Sequence, residues 1–334
     1  DRSHWVRRAT AASDVAAAGA DAIRTARSGQ IATIILPADA AWGESTSGFA
    51  KAAPPAAPHR PDLARIEAAA KALTQPGATL LLGGSALFGP QAELAAQIST
   101  RTGCRLISGY FASRIAYGEG AVAFEQLFYP GDMNAKFLKD VTRMICVGAP
   151  PPVNFFAYPG KPSTPEPPGC DIDRLCFPEW DIGWTLDQLA HAAGCDGTET
   201  VARIARVTPE LQPEPLTPDG IGRGLARAIP DNAIMVNEAV TAGASIWPHV
   251  NQGAPHDRIN TTGGSIGQCL PAALGAAVAC PERSDFAVSG DGSAMYQLQC
   301  LWTAAREQLD ITYVIVANRG YQILHIELEA QGAT

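Results

Sequence analysis

At 334 residues, 46% hydrophobic and 17% charged, the chain has enough apolar content for more than one packed core and is not a disordered polypeptide. Its net charge of −8 is spread along the sequence, and the absence of a basic stripe with interleaved aromatics argues against nucleic-acid binding. The longest apolar runs, residues 78–82 and 311–317, are strand-length and too short to span a bilayer. Eight dispersed cysteines, at 104, 146, 170, 176, 195, 269, 280 and 300, include no C-x-x-C pair. They are expected to be free, buried thiols in a reducing compartment, with the cytoplasm as default.

In chain order, an alanine-rich helix over 15–27 leads into a β-branched run at 31–36. One helix and one strand cannot cover each other, so this stretch reads as the last αβ unit of a domain that begins upstream. Residues 51–61, KAAPPAAPHRP, read as a stiff linker. A helix at 63–73, a strand at 78–82, a helix at 93–100 and strands at 104–108 and 144–147 then alternate as in a doubly wound parallel sheet. Prolines are dense from 150 to 168, and a connector is expected from there to about 214. A third unit follows, with helices at 219–228, 268–279 and 295–308 and strands at 233–236, 285–289 and 311–317. The sequence stops at Thr334 with a helix just begun, so both ends read as cut. The domains implied are 1–50, 61–200 and 215–334, all of α/β class with parallel sheets.

The chemistry lies in the third unit. A strand ends in Gly290-Asp291-Gly292-Ser293, a helix follows, and a second strand ends at Asn318. The helix places Leu298, Leu301, Trp302 and Ala305 on one apolar face. Such a βαβ crossover sets Asp291 and Asn318 at the carboxyl ends of two parallel strands, where open α/β sheets bind ligands. Both offer hard oxygens suited to magnesium, and the glycines let backbone approach a phosphate near a helix N-terminus. Taken alone, GDGS is as well read as an ordinary capped turn.

The 27-residue interval from Asp291 to Asn318 resembles the signature of thiamine-diphosphate (ThDP) enzymes, shared by acetolactate synthase, pyruvate decarboxylase and benzoylformate decarboxylase. Upstream, Gly263-Gly264-Ser265-Ile266-Gly267 and Leu270 to Gly275 resemble the family's ring-binding segment. The resemblance implies a ThDP-binding fold with a middle Rossmann-like domain. It implies that Asp291, Asn318 and the Gly320 carbonyl hold Mg2+, with Ala317 where the family has a first asparagine. Ile266 is implied to bend the cofactor, the Gly264 carbonyl to accept from its 4′-amino group, and Ser265 to belong to the same loop. Gly290, Gly292, Ser293, Tyr296 and Thr241 are implied around the diphosphate, although Tyr296 is equally a packing residue. Glu238, beside Thr241, is as well read as a helix cap or a solvated acid. Ile323 and Leu324 are implied to shape the acyl pocket.

The stretches AYPGKPS (157–163) and NRGYQILHIEL (318–328) are most similar to acetolactate synthase large subunits. The GDGSAMY and LWTAA stretches are also similar to benzoylformate decarboxylase, whose catalytic histidine has Phe155 as its best match here. The activity implied is decarboxylation or carboligation of a small 2-keto acid, in a homodimer or homotetramer. An aryl 2-keto acid decarboxylase and a non-catalytic ThDP-binding or assembly module are the alternatives. The glutamate that activates the cofactor in the family is expected outside these residues.

Overall fold

The computed structural model describes residues 3–211 and 215–333. The chain begins with β1 (Trp5–Arg8), α1 (Ala12–Arg27), β2 (Ala32–Ile35) and the short α2 (Ala38–Trp42). β1 pairs in parallel with β2, Trp5 opposite Ala32, so this stretch is a βαβ unit rather than the single αβ unit expected. The missed strand, WVRR, is only four residues long and half of them are charged, which leaves no readable period. The proline-rich stretch 51–61 has no regular structure.

Next come α3 (Leu63–Leu73), β3 (Ala78–Leu82), α4 (Gly89–Thr102), β4 (Arg105–Ser108), β5 (Arg114–Tyr117) and β6 (Glu125–Gln126). They are followed by α5 (Gly131–Phe137), β7 (Arg143–Val147), β8 (Asp171–Cys176) and α6 (Ile182–Ala193). Strands β6-β4-β3-β7-β8 form one all-parallel sheet. β3 is buried along its whole length, as an apolar ATLLL run between two neighbours requires. The expected connector thus contains regular structure: β8 is an edge strand, and α6 seals the sheet through Leu186 and Leu189. α6 carries local start and stop signals, an Asp181 N-cap that accepts from the Trp184 amide and a left-handed Gly194 after its last turn.

The last stretch holds α7 (Pro218–Ala228), β9 (Ala233–Glu238), α8 (Val240–Val250), β10 (His256–Asn260), α9 (Cys269–Ala279) and β11 (Asp285–Gly290). It closes with α10 (Asp291–Ala294), α11 (Gln299–Arg306), β12 (Ile311–Val316) and α12 (Gln322–Ala330). The sheet order is β12-β11-β9-β10-β5. Four strands are parallel, and β5 crosses from the 61–200 stretch to pair antiparallel with β10, Ile115 opposite Arg258. β9 feeds alternate faces: Met235 packs with Leu225, Ile246, Trp247 and Val288, whereas Ile234 and Val236 pack with Leu270, Ala273 and Ala287. Each such side chain contributes about 1.5–3 kcal/mol on burial, which fixes the register of the sheet.

The expected helix 295–308 is broken. α10 is a single turn, a 3-10 turn covers Met295–Gln297, and α11 starts at Gln299. The apolar face of Leu298, Leu301 and Trp302 lies outward: Trp302 is 65% exposed, and Leu298 and Leu301 are exposed too. α11 is seated through the buried Ala304, so the bulky stripe points outward. All eight cysteines are free, as expected. Among the described residues no helix is long and apolar enough to cross a membrane.

Candidate cofactor site

The strand order makes a switch point. From β9 the chain steps to β10 on one side and to β11 on the other, opening a crevice beyond the carboxyl ends of β9 and β11. A small cleft lies there. Its walls include Thr241, Ile266, Gly290, Asp291, Ser293, Asn318, Gly320 and Ile323 from the sequence reading. They also include Ala239 and Val240, from the 237–241 loop whose resemblance implies a diphosphate contact, and Ala242, Val316, Tyr321 and Gln322, to which the sequence assigns no role.

Register explains why the two oxygen donors meet. Gly290 is paired with Val316 across β11 and β12, so Asp291 and Asn318 leave the sheet together. The Asp291 carboxylate accepts the Gly292 amide at 3.0 Å and the Arg319 amide at 2.9 Å. The Asn318 side-chain oxygen accepts the Gly320 amide at 3.1 Å. Each pinned oxygen keeps a lone pair for a cation. Among the described residues no group of three or more His, Cys, Asp or Glu could hold a metal. A cation here would rest on one carboxylate, one amide oxygen and a backbone carbonyl, leaving sites for phosphate and water, which is how magnesium prefers to bind.

The anion-binding side is equally built in. α8 begins at Val240 and α10 at Asp291, so two helix N-termini open on the cleft. Nothing lies within 4 Å of a side chain built at Gly320, leaving its backbone open to a ligand. Val240 and Arg319 both take positive φ, 45° and 59°, and both flank this cleft. For a β-branched valine that is an outlier, and such strain gathers where a site needs a fixed backbone. The residues fit a diphosphate held through a hard cation.

The glycine loop before α9 forms the neighbouring wall. Gly267 has φ 93°, and a Cβ there would lie 2.6 Å from the Tyr296 Cβ, so only glycine lets the loop sit on that tyrosine. Gly264 has Phe155 on the side where a Cβ would project, the ring 2.8 Å from that position. Phe155 itself sits in an aromatic cluster with Phe111, Tyr129 and Phe156, at 5.1, 5.4 and 4.7 Å between centroids. The Tyr158 hydroxyl, at the edge of this cluster, donates to Glu327 of α12. Gly264, Ser265, Gly292, Tyr296 and Leu324 are outside the cleft walls. Gly264 and Ser265 are exposed on the loop, the Gly292 carbonyl accepts from the Tyr321 hydroxyl at 3.4 Å, and Tyr296 and Leu324 are exposed.

Glu238, left open between cap and solvated acid, is buried, and its carboxylate accepts the Gln268 amide of α9 at 2.9 Å. Burial raises its pKa, partly opposed by the bonds it accepts from Ser289 and from backbone amides.

Residues 241–334 match the C-terminal TPP-binding domain of thiamine pyrophosphate enzymes. The chain is 41% identical over 334 residues to a Mycobacterium tuberculosis protein that bears the name acetolactate synthase large subunit IlvX; the match covers 99% of this chain and 64% of that protein. It is 31% identical over 153 residues to benzoylformate decarboxylase of Pseudomonas aeruginosa, covering 43% of this chain and 28% of the relative. In structure it resembles the ThDP-dependent 4-hydroxybenzoylformate decarboxylase of Rhodococcus jostii RHA1, with a TM-score of 0.76 at 23% identity over 99% of this chain and 66% of that one. The chain therefore spans just under two thirds of the length of the proteins it matches along its whole extent.

Proposed function

The chain belongs to the thiamine-diphosphate-dependent enzyme family, and on that premise we propose that its cleft binds ThDP through Mg2+ for work on a 2-keto acid, as in acetolactate synthase. The observation that carries this is the convergence of Asp291, Asn318 and Gly320 with two helix N-termini on one cleft. The Asp291 carboxylate, the Asn318 amide oxygen and the Gly320 carbonyl hold the cation. Thr241 and Ser293 donate hydroxyls to phosphate, with Gly290 and Gly292 leaving the backbone free to approach. Ile266 props the ring region, on the loop that also carries Gly264 and Ser265, and Ile323 forms the apolar wall toward the acyl group. Bound ThDP supplies an electron sink for cleavage beside the keto carbon.

The outward stripe of Leu298, Leu301 and Trp302 suits a second copy of the chain, so the working form is a homodimer or a higher homo-oligomer. One observation favours an aryl 2-keto acid as the alternative substrate: the aromatic cluster around Phe155 stands against the Gly264 loop. Titration calorimetry of ThDP with and without Mg2+ tests the central reading. Binding that depends on Mg2+ supports it, and ThDP binding that ignores Mg2+, or no binding, overturns it.

A further inference from the structure

Glu238 is the last residue of β9 and is 1% exposed. One carboxylate oxygen accepts the Gln268 amide at 2.9 Å and the Cys269 amide at 3.4 Å, at the start of α9. The other accepts the Ser289 hydroxyl at 2.9 Å, at the end of β11. Gln268 lies two positions after Ile266, and Ser289 lies two before Asp291. The Gln268 side-chain oxygen reaches back to the Thr262 amide and hydroxyl, both at 3.2 Å, so whatever fixes Gln268 closes the glycine loop 262–268.

Among the described residues no ion pair reaches Glu238, and a buried carboxylate without a cation is costly unless its bonds are good. Here they are good. Bonds to a charged acceptor are roughly twice as strong as neutral ones, and a helix N-terminus favours negative charge. A single rigid group thus spans the switch point and grips both loops that line the cleft.

We propose that Glu238 is a positioning residue that couples the Ile266 loop to the Asp291 loop, so that the two halves of the cofactor site keep one geometry. This rests on the ThDP reading only for its binding readout. The coupling itself belongs to the protein.

The test compares Glu238→Ala and Glu238→Gln with wild type by amide hydrogen exchange and by ThDP·Mg2+ affinity. Glu238→Ala should speed exchange at 267–269 and at 290–292 together and weaken ThDP·Mg2+ binding by about 10-fold or more, as loss of a supporting group does. Glu238→Gln keeps an acceptor for Gln268 and a partner for Ser289, and should return affinity to within about 3-fold of wild type, a difference of less than about 1 kcal/mol. Faster exchange in one loop only, or affinity unchanged in Glu238→Ala whatever its melting temperature, overturns the proposal. Should Glu238→Ala not fold, Ser289→Ala serves. It alters a β11 residue that bonds Glu238 and not Gln268, yet it should speed exchange at Gln268, and unchanged exchange there overturns the coupling. Wild type that binds no ThDP would overturn the functional reading, while the exchange comparison still decides the role of Glu238.

Discussion

The Arg319 amide donates to the Asp291 carboxylate at 2.9 Å, tying the turn after β12 to the turn after β11. The bond holds Arg319 at φ 59°, a left-handed backbone that non-glycine residues adopt at a cost of about 1–2 kcal/mol. It also keeps Asn318 and Gly320, on either side of Arg319, in line with Asp291. Replacing Asp291 by Ala removes an oxygen ligand and frees this turn at once. ThDP affinity measured in Mg2+ should fall roughly 100-fold, about 2.7 kcal/mol, and excess Mg2+ should restore it only in part. A wild-type affinity in calorimetric titration would remove Asp291 from the cation site.

Val240 carries the sharper backbone strain, a β-branched residue at φ 45° in the first turn of α8. Glycine releases the left-handed strain, about 1–2 kcal/mol, but loses more entropy on folding, by about 0.5–1 kcal/mol. Val240→Gly should therefore leave the protein slightly more stable, by about 0.5–1 kcal/mol, while ThDP binding weakens because the loop is no longer preorganised. Chemical denaturation and ThDP titration read the two effects separately. Stability that falls, or affinity that holds, would show that the strain does not serve the cleft.

Asp285 opens β11 with its side chain 1% exposed and neither oxygen hydrogen-bonded among the described residues. Burial pushes its pKa up to about 6, against the opposing pull of Arg283. The folded protein therefore binds this proton more tightly than the unfolded chain does. Its contribution favours folding at low pH and is lost as pH rises from about 4 through 6, by about 3 kcal/mol at most. Asp285→Asn should remove that dependence, stabilising the protein at pH 8 by about 1–3 kcal/mol and changing little at pH 4. Urea midpoints at the two pH values test this, and an equal shift at both would contradict it.

How much of this was readable depends on the range of the contacts. The crossover from β11 to β12 was legible because an apolar strand, a helix period and a second strand follow one another locally, and register then sets Asp291 beside Asn318. WVRR was too short to show a period, and DIDRLC mixes charge with apolar residues as edge strands do. β5 joins a sheet whose partner strand lies far along the chain, Ile115 pairing with Arg258 143 positions later (258 − 115), and no local pattern announces such pairing. The burial of Glu238 was invisible for the same reason: its partners Gln268 and Ser289 are 30 and 51 positions away. The sequence places Trp302 on an apolar face without saying what covers it, because periodicity identifies a face and not its partner, and in the fold that face lies outward.

Ile266 stands half-buried on the cleft wall, on the loop that Gly267 seats against Tyr296. If it props the cofactor rings, its effect should fall on turnover and not on folding. Ile266→Ala in the intact protein should lower 2-keto acid decarboxylation at saturating ThDP by about 100-fold, since a misplacement near 1 Å costs that much. Stability should drop by less than about 1 kcal/mol, because the side chain faces a ligand site that water can enter and leaves no sealed cavity. Ile266→Leu keeps the bulk and should recover most of the rate. Asp291→Ala differs in kind, because its loss should appear first in ThDP affinity. Assays of both variants across a ThDP titration separate the roles. Full turnover by Ile266→Ala at saturation would leave that residue as packing alone, and the bend of the cofactor would have to be sought elsewhere in the cleft.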